Sequence, residues 1–270
     1  MSETTNLVTK DFKEAAINLL FQLADDDFLF SYRGSEWLGL APHIEEDIAY
    51  SSITQDTMGH ASMYYHLLED LGLGTADQLS HLRPLEERKN CILVERSNGE
   101  GYYMDVPTYD WAFAVVRNYL YTTAKKVKID SLKNSSYQPL ADAAIKVNTE
   151  IYYHLLHWKT WFVQLLNSTQ EAKQRMQAAI KTVTNDLGDL FSLGNDADKI
   201  VSFGLIEKES VLIGRWKEQL EPVFRSVQLK VPEIPNAPSL NGRNGEHTKQ
   251  AQEALDTLSE VIRFDTAAAW

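Results

Sequence analysis

A chain of 270 residues with 44% hydrophobic and 24% charged residues can bury one large core, and 13 Gly and 8 Pro keep it far from disordered or fibrous compositions. Its 38 acidic against 26 basic residues leave a formal charge of -12 with no basic stripe, which argues against a nucleic-acid partner. The single cysteine, Cys91, excludes an intrachain disulfide or a cysteine-built zinc site and fits a reducing cytoplasm.

The start, Met1 to Asn6, has no basic stretch leading into an apolar core, and no window approaches about 18 uninterrupted apolar residues. Neither a signal peptide nor a membrane span is therefore expected. Helical periodicity begins at Asp11 and runs to about Gly34, with Ala16, Leu20, Leu23, Asp27 and Phe30 along one seam. A second long helix is predicted after Pro42, its seam reading Glu46, Tyr50, Ile53, Thr57, His60, Tyr64, Leu67 and Leu71 before Gly72 stops it.

From Thr75 to Pro107 the pattern weakens. Cys91 to Val94 is a short apolar run, and Ser97-Asn98-Gly99 marks a turn that makes a small hairpin or an extended connection. Thr108 or Asp110 can cap a third helix to about Lys133, and Pro139 opens a fourth with the seam Val147, Ile151, His154, Trp158, Trp161 and Leu165. Four long helices with two short loops and one long crossover predict an all-α fold, a ferritin-like four-helix bundle with additional C-terminal flanking helices. The whole of 1–270 reads as one domain, with the bundle at about 10–166 and flanking helices and tail at about 167–270. Those helices are predicted at Thr169 to about Leu193, after Asp196, at Glu209 to Ser226 and at Thr248 to Arg263; the terminal Trp270 either docks or frays.

In carboxylate-bridged metal bundles, two helices each give a Glu and two others each give Glu-x-x-His, a spacing that aims both ligands inward. Here Thr57 stands three residues before His60, and Ile151 three before His154. A hydroxyl and an aliphatic chain replace the bridging carboxylates. Asp27 on the first helix and Tyr121 on the third fall at the corresponding depth. Asp27, Thr57, His60, Tyr121, Ile151 and His154 thus read as vestigial ligand positions, too poor in carboxylate for a two-metal centre. Helix geometry predicts that Asp27 accepts a hydrogen bond from His60 or a nearby donor, and that Tyr121 bonds His154 directly or through water. The competing reading is an unorthodox single-metal site from Asp27, Asp56, His60, Glu150 and His154, which would make the chain an independent ferritin-like oxidase. No nucleophile elbow, phosphate loop or dinucleotide fingerprint is present. The aromatic group Trp158, Trp161, Phe162, Tyr152 and Tyr153 reads as core or subunit interface in preference to the lining of a ligand pocket.

The runs Tyr32-Arg33-Gly34-Ser35-Glu36-Trp37-Leu38-Gly39-Leu40-Ala41-Pro42 and Gln55-Asp56-Thr57-Met58-Gly59-His60, with Glu46 between them, resemble the phenylacetic acid catabolic family of ferritin-like proteins. The closing Gly242-x-x-Gly245-x-His247-Thr248 resembles that family's non-catalytic members, paralogues of its iron-bearing ones. The resemblance implies a structural subunit without catalytic, cofactor or metal residues of its own. Its implied partner is the catalytic diiron A subunit of a phenylacetyl-CoA ring epoxidase, with other complex subunits and a reductase acting indirectly. It implies a cytoplasmic complex, with neither nucleic acid nor membrane as a partner.

Overall fold

A computed structural model describes residues 9–236 and 239–266, so the expectations placed on Met1 to Asn6 and on Ala267 to Trp270 lie outside the described residues. Four long helices form the core: α1 (Lys10–Ser35), α2 (Ile44–Asp70), α4 (Trp111–Leu132) and α5 (Gln138–Leu166). They arise where the sequence places caps and seams. Thr9 accepts from the Phe12 N–H to start α1, Asp110 accepts from the Ala112 N–H to start α4, and Pro139 sits in the first turn of α5.

Helix α1 is unusual in being buried almost all round from Gln22 to Gly34, because the bundle lies on one side and later segments of the chain on the other. Its close approach to α2 depends on Gly34, where a Cβ would stand 2.4 Å from Thr54 Oγ1. The segment between α2 and α4 is more structured than its sequence suggests. Cys91 to Val94 leads into a single buried turn, α3 (Ile92–Glu95). The hairpin exists, but Gly99–Glu100 pairs with Thr108–Tyr109, so its turn is 101–107 and not Ser97-Asn98-Gly99.

Helix α6 (Gln170–Thr184) is shorter than the predicted stretch to Leu193. The chain turns at Asn185 and Asp186, and Asp189 then accepts from the Ile92 and Gly242 N–H groups, a tertiary anchor beyond the helix end. Helix α7 (Ala197–Ser202), α8 (Glu209–Ser226) and α9 (Lys249–Phe264) complete the fold. Helices α6 and α8 pack on α4, while α3, α7 and α9 pack on α1.

Candidate functional site

The centre of the bundle is organised by three consecutive aspartates of α1. Successive helix positions point about 100° apart, so Asp25, Asp26 and Asp27 face three directions and each meets a different cation. Asp25 pairs with Arg83 and Arg88 and accepts from the Tyr65 hydroxyl at 2.6 Å. Despite its burial, the two guanidinium groups hold its carboxyl below the ordinary aspartate range. Asp26 takes both amino groups of Arg243 at 2.8 Å, a bidentate fork that carries the segment Gly242–Asn244 into the core. Asp27 is the one that faces the bundle axis.

There, Asp27 Oδ2 accepts from Lys125 Nζ at 2.7 Å and Oδ1 from the Tyr121 hydroxyl at 3.2 Å. Lys125 Nζ also lies 2.9 Å from His60 Nδ1, and His60 Nε2 lies 2.6 Å from Glu150 Oε2. An ammonium can only donate, so His60 Nδ1 accepts and the ring proton sits on Nε2, donated to Glu150. A continuous chain thus runs from the half-exposed Glu150 through His60, Lys125 and Asp27 to Tyr121. On the neighbouring turn, His154 Nε2 lies 2.9 Å from Asp56 Oδ2. The antiparallel packing of α2 on α5 sets position 60 opposite 150 and 154 opposite 56, so each histidine takes the carboxylate that precedes the other histidine by one turn.

Burial governs the charge states. It pushes the His60 imidazole far below its ordinary value, with Lys125 adding to the effect, and lowers His154 likewise, so both rings are neutral. Burial also drives the Asp27 carboxyl up and the Lys125 ammonium down, and each opposes the shift of the other. Glu150 is raised by partial burial and by the nearby Asp56 charge.

The expected donor to Asp27 is therefore present, but it is Lys125 rather than His60. Tyr121 and His154 make no direct bond: the Tyr121 hydroxyl donates to Asp27, and His154 pairs with Asp56. Thr57 is buried and donates its hydroxyl to the Ile53 carbonyl, while Ile151 is 1% exposed and packs in the apolar core. Lys125, Asp25 and Asp26 carry the polar centre although no sequence motif marks them. The available signal for Lys125 is its spacing, one helical turn beyond Tyr121 and so on the same face.

These side chains do not suit a pair of metal ions. The ammonium of Lys125 occupies the space between Asp27 and His60, and the cavity bounded by Asp27, Tyr64, Tyr121 and Lys125 measures about 10 Å³, scarcely the room of one water. Among the described residues no group of His, Cys, Asp and Glu side chains is arranged to hold an ion. The aromatic group divides: Trp158 and Phe162 are fully buried, Trp161 is half-buried with its indole N–H on Glu46, and Tyr152 and Tyr153 project into solvent.

The sequence profile described as phenylacetic acid catabolic protein matches residues 1–270. The chain belongs to that family, and so to the proteins of phenylacetate catabolism. A curated relative, the C subunit of the 1,2-phenylacetyl-CoA epoxidase of Escherichia coli (strain K12), is 28% identical over 217 residues, covering 78% of this chain and 82% of the relative. The family motifs seen in the sequence have structural work here. Arg33 pairs with Glu36 at 2.9 Å and donates to the Glu95 carbonyl, and Trp37 stacks edge-on against Trp111. In the closing motif, Arg243 grips Asp26, His247 bonds Glu95, and Thr248 caps α9. Among the described residues no helix is long and apolar enough to cross a membrane.

Proposed function

We propose that this chain is a structural, non-catalytic subunit of a phenylacetyl-CoA 1,2-epoxidase, supporting an iron-bearing catalytic subunit in aerobic phenylacetate degradation. One observation carries the reading: the positive charge at the bundle centre is supplied by Lys125, seated between Asp27 and His60. A tethered ammonium satisfies the remaining ligand-type groups and cannot activate dioxygen. The family membership and the epoxidase relative supply the complex in which such a bundle serves. The diiron cofactor belongs to the partner subunit in this reading, and the chain works in the cytoplasm.

The independent-oxidase alternative loses its ligands to internal pairing. Asp56 and Glu150 are already bonded to His154 and His60, and Asp27 to Lys125. Metal analysis of the purified chain tests the choice. Substoichiometric iron that is unchanged in a His60→Ala, His154→Ala double variant is expected; two tightly held irons per chain would sink the structural-subunit reading.

A further inference from the structure

Among the described residues the later helices pack mainly on α1 and α4, with α6 also touching α5, and much of the outer face of the α2–α5 pair stays exposed. Ile48 on α2 is 65% exposed and Tyr153 on α5 is 69% exposed, and Leu156 lies one turn beyond Tyr153, also exposed. Tyr153 and Leu156 border a cleft of about 460 Å³ that also reaches His157 and Trp161. Gly59 lies on this face in mid-helix, exposed and with ordinary helical backbone, and a Cβ built there meets no atom within 4 Å. Nothing among the described residues requires a glycine at a position where glycine weakens the helix. A bare helix surface at that point lets another helix approach closely.

Asp56 and Glu150 stand near the middle of the face with side chains 40% and 47% exposed. Their ring partners are neutral, and among the described residues neither carboxylate forms an ion pair with a lysine or arginine, Lys125 acting on Glu150 only through space from behind His60. An apolar face with two negative charges near its centre is complementary to a surface that is apolar and carries a cation.

We propose that this face docks a second, different helical subunit, which lays a helix across Gly59 and presents a guanidinium or ammonium group to Asp56 and Glu150. The inference rests on the structural-subunit reading above. A second copy of this chain is disfavoured as the occupant, because a twofold axis through the face would set these carboxylates against their own equivalents.

The probe is the iron-bearing catalytic subunit of the same complex, purified separately and titrated with the full chain by calorimetry. The wild-type chain should bind. Gly59→Leu and Tyr153→Ser should each weaken binding at least tenfold without lowering the chain's own melting temperature, and Asp56→Asn with Glu150→Gln should weaken it and flatten its salt dependence. Val211→Arg, on the exposed surface of α8, should bind as wild type. If the face variants all bind like wild type, the docking proposal falls and the structural-subunit reading stands. If the wild-type chain fails to bind the probe, both fall. A wild-type homodimer broken by Gly59→Leu would make the face a contact between copies and overturn the proposal.

Discussion

The ammonium of Lys125 stands 2.7 Å from the Asp27 carboxylate, at the point where this kind of bundle brings its ligand-bearing helices together. With its second contact to His60 it does the electrostatic part of a metal's task, neutralising an inward carboxylate and orienting an imidazole. It does none of the chemical part. With Thr57 and Ile151 beside them in the bundle, Asp27, Asp56, His60, Glu150 and His154 all find partners within the chain.

That arrangement makes Lys125 a stability determinant. Lys125→Met leaves Asp27 buried with only the Tyr121 hydroxyl and should cost about 3–5 kcal/mol, the usual range for breaking a buried ion pair from one side. Asp27→Asn together with Lys125→Met should cost clearly less than the two single changes added, because no charge is then left unpaired. Urea unfolding of the four proteins gives the cycle. Additive losses would show that the two side chains do not depend on each other.

The neutral His60 gives the chain a pH signature. An unfolded histidine takes up a proton below about pH 6.5, but the folded site refuses it, so the unfolded chain binds more protons and stability falls as pH drops below that value. The expected slope from one such histidine is at most about 1.4 kcal/mol per pH unit. Asp189 acts in the opposite sense: its carboxyl is pushed up to about 6 by burial, so its contribution is lost as pH rises through about 4 to 6. Comparing wild type with His60→Gln cancels Asp189 and isolates the histidine. The variant's melting temperature should fall less between pH 7 and 5.5; parallel curves would mean that His60 is charged in the folded chain.

The sequence is informative where a single helix settles the answer. Seam positions such as Leu20, Asp27, His60, Tyr64 and His154 are buried as their periodicity requires, because a helix fixes which residues share a face. Partner choice is not legible, since it depends on the axial register between helices. A shift of one turn along α5 would exchange Glu150 for His154 opposite His60, and nothing within either helix sets that shift. Lys125 is hidden for a related reason: a lysine on a helix ordinarily reaches for solvent, and only the tertiary placement of Asp27 turns it inward. The end of α6 at Thr184 is likewise decided far away, by the anchoring of Asp189 on Ile92 and Gly242.

Gly242 of the closing motif and Gly59 of α2 are two glycines with the same chemistry and different surroundings. At Gly242 a Cβ would stand 2.0 Å from the carbonyl oxygen of Asn90, a backbone atom that cannot step aside, and the residue's own N–H donates to Asp189 at 2.9 Å. Gly242→Ala must therefore displace the turn that carries Arg243 onto Asp26, and should cost about 1–3 kcal/mol, as overpacking of a tight interior does. Gly59→Ala, with open space around its Cβ, should leave the isolated chain unchanged or stabilise it by up to about 1 kcal/mol through helix propensity. Arg243→Lys tests the same anchor from the side chain: a lysine cannot reproduce the fork on Asp26, so residues 239–264 should become susceptible to limited proteolysis while the bundle helices stay protected. Equal melting temperatures for Gly242→Ala and Gly59→Ala, with α9 still protected in Arg243→Lys, would mean that the closing motif does not hold the C-terminal segment to the core.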